Sequence, residues 1–277
     1  MQIAICNELF EPQSLAETAA CCAALGYEGL ELAPFTLAPA PGELTSTQRR
    51  QLRHAVESAG LRVVGLHWLL ARTSGFHLTA SDPFVRQRTA QRLAELAYLC
   101  RDLGGQLLVL GSPQQRQLPP GMSFAEGLQL AADTLTRVLP ALEDCQVDLC
   151  LEPLGRTETN FLNSCSEALA LANVLAHPRV GLHLDVKALA DEGTPIPDLI
   201  RRYGRQARHF HANDPNRRGP GFGDLDFVPV LSALRESGYQ GWVSVEVFDY
   251  SPDPLTVARE SLACLRRCAA ALQATTD

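Results

Sequence analysis

VDLCLEP (147–153), VGLHLD (180–185), ARHFHAND (207–214) and WVSVEVF (242–248) are short apolar runs, and each carries an acid or imidazole at or near its end. Runs of this length, flanked by turn residues, read as strands. The same grammar extends toward the N-terminus, where IAIC (3–6), GLELA (29–33), RVVGLH (62–67) and QLLVLGS (106–112) supply four more. Stretches of helical period lie between them: 14–25, 83–103, 123–142, 164–176, 227–237 and 254–272. Ser14 with Glu17 makes a capping box, and Asp82 before Pro83 makes an N-cap followed by proline at the first helical position. Gly26, Gly60, Gly104 and Gly238 each stand where a helix would stop.

Helix, glycine, then short apolar strand is the pattern of βα units. Eight of them in roughly 270 residues match a single (β/α)8 barrel, whereas an open doubly wound sheet needs fewer strands. No Gly-, Ser- or Pro-rich linker divides the chain, so residues 1–277 are expected to form one domain. The stretches 34–41 and 111–121 read as βα loops above the active site.

Composition narrows the function. With 46% hydrophobic residues the chain can bury a large core, and its 24 basic and 31 acidic residues leave a formal charge of −7. No block of like charges suggests a basic arm, which disfavours nucleic acid as a partner. The N-terminus lacks the basic-then-apolar pattern of a signal peptide, and no run of ~18 apolar residues suggests a membrane span. The nine cysteines are odd in number, lie mostly in apolar segments and form no CxxC pair, as expected of reduced thiols in a cytoplasmic protein. Lys187 is the only lysine.

In a parallel barrel, functional groups come from the C-terminal ends of strands. The last four strands end in Glu152, Asp185, His211 and Glu246. Each residue alone could be a helix cap or a loop ion pair. Together, on adjacent strands ~4.8 Å apart, three carboxylates and an imidazole can surround one divalent ion. Such an ion stabilises the enediolate formed when a proton leaves a carbon beside a carbonyl. Two carboxylates on opposite faces of that carbon permit epimerisation, whereas one shuttling between neighbouring atoms gives aldose–ketose isomerisation.

LEPLGRTETN from Leu151, Asp185, His211 with the following PGFGDLDF from Pro220, and VSVEVF from Val243 resemble the xylose isomerase-like TIM-barrel superfamily. The segment around Glu152 is most similar to ketose 3-epimerases of the D-tagatose 3-epimerase type. The resemblance implies metal ligation by Glu152, Asp185, His211 and Glu246, with Glu152 and Glu246 also exchanging protons with substrate. It implies substrate contacts from Glu158 and Arg217, and Mn²⁺ as the metal, with Mg²⁺ or Co²⁺ as alternatives; the mixed oxygen and nitrogen donor set also admits Zn²⁺. A sugar or polyol substrate follows, and a homo-oligomer is left open. The chain departs from the family at Ala188, where many relatives carry a substrate-holding histidine.

If the sixth strand continues beyond Asp185, alternation points Lys187 at the barrel mouth, where it could bind substrate oxygens or an anionic group. The alternative is a solvated lysine opening a loop. His67, ending the third strand, joins the substrate-binding candidates, and packing is its equal alternative, as it is for Glu31. Trp68 could wall a sugar ring or belong to the core. His183 and His209 lie two residues before Asp185 and His211 and read as satisfied core histidines. His54, His77 and His177 read as helix or loop residues. Asn213 and Asp214 could orient the His211 imidazole, and Asp226 should cap the helix from Phe227. The glycines of the loop 213–226 suggest backbone shaped close to a ligand. The leading reading is a metal-dependent sugar epimerase or isomerase. A lyase or dehydratase acting on a keto-sugar or inosose is the alternative, and an endonuclease IV-like nuclease or a non-catalytic binding protein comes behind both.

Overall fold

The computed structural model describes residues 1–274, so the last three residues of the expected domain range lie outside the described residues. Eight parallel strands close a barrel in sequential order: β1 (Gln2–Cys6), β2 (Gly29–Leu32), β3 (Arg62–Leu66), β4 (Leu107–Leu110), β5 (Asp148–Leu151), β6 (Val180–Asp185), β7 (Ala207–Ala212) and β8 (Trp242–Val245). Outside them run α1 (Leu15–Leu25), α2 (Ser46–Ser58), α3 (Pro83–Leu103), α4 (Phe124–Thr136), α5 (Leu139–Cys145), α6 (Cys165–Leu175), α7 (Val186–Ala190), α8 (Ile196–Tyr203), α9 (Phe227–Glu236) and α10 (Pro254–Ala274). The fold is a (β/α)8 TIM barrel, as the alternation of apolar runs predicts.

Local chemistry accounts for the ends. Ser14 accepts from the Glu17 backbone N–H while the Glu17 carboxylate reaches back, and Asp82 and Asp226 cap α3 and α9. One expected helix is two. The run 123–142 breaks after Thr136 because Pro140 lacks an N–H and its ring collides with the carbonyl four residues back. Three helices not singled out by periodicity are α2, which opens on a Thr45–Gln48 capping box, the short α7 and α8.

Most apolar side chains pack between strands and helices. Inside the barrel, Ala4, Val64, Leu107, Val109 and Cys150 form a separate plug with Trp242 against it. Above this plug the inward positions turn polar, and the period of two along each strand stacks them in layers. Register sets Asp185 beside His211 and, one layer lower, His183 beside His209. An irregularity between Leu182 and His183 brings these pairs into step. Among the described residues no helix is long and apolar enough to cross a membrane. All nine cysteines are free, seven of them buried.

Candidate active site

Glu152 and Glu246 follow the last residues of β5 and β8, and the next connections hold them at the C-terminal rim. Gly111, just past β4, makes room for the first: a Cβ there would lie 1.5 Å from Glu152 Oε2. The backbone beneath is tied by Arg116, whose guanidinium is buried and donates to the Glu152 carbonyl at 2.6 Å and to the Leu110 carbonyl. Burial lowers that guanidinium to about 10. No periodicity or capping pattern marks Arg116 in the sequence; its role exists because the β4 loop folds back over two strand ends.

Asp185 ends β6 and caps α7 at once. Its Oδ1 accepts from the Ala188 N–H at 2.9 Å and its Oδ2 from Asn213 Nδ2 at 2.6 Å. Asn213 therefore orients Asp185, not the imidazole of His211 as the sequence suggested. Asp214 instead accepts from the backbone N–H groups of Asn216 and Leu225 and shapes the β7–α9 loop. His211 is held from both sides, with Nδ1 3.1 Å from Glu246 Oε2 and Nε2 3.1 Å from both Glu31 oxygens. Glu31 also meets His209 Nε2 at 2.6 Å.

Burial and neighbouring charge drive the two glutamates apart. Burial first, then the charges of Glu246 and Asp185, push Glu152 up to about 8. Burial also works against ionisation of Glu246, but His211 and His67 and the hydrogen bonds from His211 and Trp68 outweigh it and bring the group down to about 2. Asp185 is raised by burial and by Glu246. This crowding of buried carboxylates fits a divalent cation, which would relieve the repulsion. One atom each from Glu152, Asp185, His211 and His183 lie within 4.8 Å of one another. Three of the four expected ligands thus stand in a compact set with His183, while Glu246 borders it through His211.

A cavity of about 290 Å³ opens above these groups and is lined by Glu152, Glu158, Lys187, Arg217, Glu246 and Trp68, among others. That is the small end of the ~300–1,000 Å³ range of small-molecule pockets. Lys187 arrives by a different route from the one expected, because β6 stops at Asp185 and the lysine rides on α7. Its ammonium bonds Glu158 Oε2 at 2.7 Å and lies 4.8 Å from the Phe248 ring centre, so it is not a freely solvated lysine. Arg217 also faces the Phe248 ring, at 5.6 Å. The backbone of Arg217 is left-handed, with φ 72°, and its carbonyl accepts from the N–H groups of Phe248 and Asp249.

The glycines of this loop serve packing more than ligand approach. A Cβ at Gly219 would strike Ser261 Oγ on α10, and one at Gly223 the Asp214 carboxylate. His67 is fully buried, bonds Glu8 Oε2 at 2.8 Å and is not among the residues lining the cavity. Trp68 is part of the cavity wall and stacks on Phe248 with ring centres 6.1 Å apart. His209 has Glu31 as partner, but His183 is fully buried with neither ring nitrogen hydrogen-bonded, so the satisfied core histidine expected there is not found.

Comparison with known proteins agrees with this architecture. The chain is 27% identical over 229 residues to a D-psicose 3-epimerase of Enterocloster bolteae, covering 81% of this chain and 74% of that one. It is 29% identical over 181 residues to an L-ribulose 3-epimerase of Mesorhizobium japonicum, covering 62% and 58%. The crystal structure of a D-psicose 3-epimerase in the presence of D-fructose superposes with a TM-score of 0.85 at 20% identity, over 97% of this chain and 99% of that one. The family model for the xylose isomerase-like TIM barrel matches residues 19–268. This chain belongs to the xylose isomerase-like TIM barrel family.

Proposed function

We propose that this isomerase is a ketose epimerase, dependent on one divalent metal, that inverts the carbon next to the carbonyl, C3 of a 2-ketose. The carrying observation is that Glu152 and Glu246 line one cavity from separate strands with opposite protonation tendencies, about 8 against about 2. Titratable pairs pushed apart in this way are the mark of assigned acid and base roles. In the metal-free protein near neutral pH, Glu152 keeps its proton and Glu246 is ionised. Glu246 takes a proton from one face of the carbon, and Glu152, which regains from solvent the proton that the metal displaces, delivers one to the other.

Mn²⁺ is the proposed metal, with Mg²⁺, Co²⁺ or Zn²⁺ as substitutes, held by Glu152, Asp185, His211 and Glu246. When bound it would supply Lewis acidity to the carbonyl oxygen. Arg217 and Glu158, at the cavity wall, would bind hydroxyls at the carbonyl end through the guanidinium fork and the carboxylate. Lys187 holds Glu158 in place and offers further donors to substrate oxygens, on the side where Ala188 offers none. His67 would act on substrate only indirectly, by fixing Glu8 beneath the rim. The names of the epimerase relatives support a sugar substrate. The buried free thiols suit a cytoplasmic setting.

The test is a panel of 2-ketoses incubated with the Mn²⁺-loaded protein in D2O and followed by NMR. Deuterium at C3 together with the C3 epimer is the expected result. Loss of water from the sugar would establish a lyase instead, and absence of exchange in every ketose would overturn the reading.

A further inference from the structure

His183 stands out among the buried polar groups. Its ring is fully buried on the inner face of β6, one layer below Asp185, yet neither Nδ1 nor Nε2 has a hydrogen-bond partner among the described residues. A buried imidazole left unpaired forfeits its hydrogen bonds to water without replacement, so such a side chain calls for a partner. Its neighbours are specific. The His211 ring lies 4.1 Å away, centre to centre and edge-on, and Nε2 is 3.8 Å from Glu152 Oε1. That carboxylate separation is too long for a hydrogen bond.

It is the right length for something else. Two ligands each ~2.1 Å from one ion lie about 3.0 Å apart when adjacent and about 4.2 Å apart when opposite. The 3.8 Å between His183 and Glu152, the 3.9 Å between His211 Nδ1 and Asp185 Oδ2, and the 3.1 Å between His211 Nδ1 and Glu246 Oε2 all fall in that interval. His183, Glu152, Asp185 and His211 also form one of the compact donor sets of the molecule.

We propose that His183 is a fifth protein ligand of the metal centre, making it a site with two imidazole nitrogens and three carboxylates. The inference rests on the metal-dependent reading above and adds one residue to it. The chemical consequence is a change of preference. Mg²⁺ favours oxygen donors, whereas imidazole suits Co²⁺ and Zn²⁺, and Mn²⁺ lies between in the order of divalent affinities. A second imidazole therefore tilts the site away from Mg²⁺.

The experiment compares the metal-depleted full-length protein with its His183→Asn and His183→Leu variants, His211→Asn serving as the control for a single lost imidazole. Metal content by elemental analysis and affinity by competition titration are read for Mn²⁺, Co²⁺ and Mg²⁺, and pulsed EPR of the Mn²⁺ form counts coordinated imidazole nitrogens. The expected result is one ion per chain, two imidazole couplings in the parent and one in each His183 variant. Co²⁺ affinity should fall at least tenfold on removal of His183, and Mg²⁺ affinity less than about threefold. Thermal melts of the metal-free variants separate loss of a ligand from loss of the fold. If a variant fails to fold, the coupling count in the parent decides alone. A parent with a single imidazole coupling overturns His183 as a ligand while leaving the metal reading intact. Two ions per chain overturn it in favour of a separate site, and no metal bound by the parent overturns both.

Discussion

The indole Nε1–H of Trp68 donates to Glu246 Oε1 at 2.7 Å, joining residues 178 positions apart in the chain. Trp68 sits just past β3 with a left-handed φ of 51° and stacks on Phe248, two residues beyond the glutamate it holds. The contact aims the carboxylate and favours its ionised form.

Trp68→Phe should keep much of the stacking and remove the donor. A hydrogen bond to a charged group contributes ~1.5–3 kcal/mol, so kcat should fall roughly tenfold or more. Because the lost donor favoured ionised Glu246, the carboxyl pKa should rise. The acid limb of the kcat pH profile should then move to higher pH, and a profile unchanged in both height and position would disprove this role for Trp68.

Glu246→Gln and Asp185→Ala separate proton transfer from metal holding. Glutamine keeps a coordinating oxygen but is no base, so turnover should fall by the ~10² to 10⁴ of lost acid–base catalysis, and added metal should not restore it. Asp185→Ala loses a ligand and should be partly rescued at high Mn²⁺. Full rescue of both would show that Glu246 moves no proton.

Arg217→Ala should raise KM or lower kcat at unchanged metal content, since its side chain lines the cavity without belonging to the buried donor set. Loss of a guanidinium contact to a bound hydroxyl amounts to ~1.5–3 kcal/mol in kcat/KM, or roughly 10- to 100-fold. Kinetics equal to the parent's would remove Arg217 from the substrate site.

Gly111→Ala tests the positioning of Glu152. The added methyl would fall 1.5 Å from Glu152 Oε2, so the carboxylate must move. Metal affinity should drop at least tenfold while the metal-free protein still folds. Gly42→Ala, where a Cβ meets nothing within 4 Å, is the control and should match the parent.

The proton on Glu152 gives a signed pH dependence. Its pKa rises on folding from an ordinary 4.5 to about 8, so between roughly pH 5 and 8 the folded metal-free chain holds a proton that the unfolded chain has released. Stability from this group therefore falls as pH rises through that window. His67 and His211, raised well above 6.5, act in the same direction, because their contribution is present at low pH and lost as they deprotonate. Glu31 and Glu246 are lowered, and their contribution disappears only as pH falls below about 4.5. His183 and His209, lowered by burial, oppose this trend only below about pH 6.5, so the melting temperature of the metal-free protein should decline from about pH 6.5 to 8.5, and Mn²⁺ should flatten the decline by replacing the proton. Metal addition near pH 6.5 in weak buffer should release about one proton per chain from Glu152. A melting temperature that rises across this range, or metal binding without proton release, would contradict the assignment.

The barrel was legible in the chain because its signals are local. Alternating apolar strands, Ser14 with Glu17, Asp82 before Pro83 and the glycine stops each act within a few residues, and the break at Pro140 is equally local. Strand ends such as Glu152, Asp185, His211 and Glu246 were legible as candidates because a parallel barrel delivers every strand to the same rim. Contacts across the closed barrel were not. The grip of Trp68 on Glu246, of Arg116 on the Glu152 carbonyl and of Asn213 on Asp185 depends on connections folding back over the rim. His183 is likewise set by distant segments, beside His209 on the next strand and 3.8 Å from Glu152, with neither ring nitrogen hydrogen-bonded. Lys187 was misplaced for a related reason: Asp185 caps a helix, and that cap ends the strand on which alternation had been counted. Periodicity reports which face a residue takes on its own element, whereas partners and protonation follow from the packing of distant segments into one low-dielectric interior.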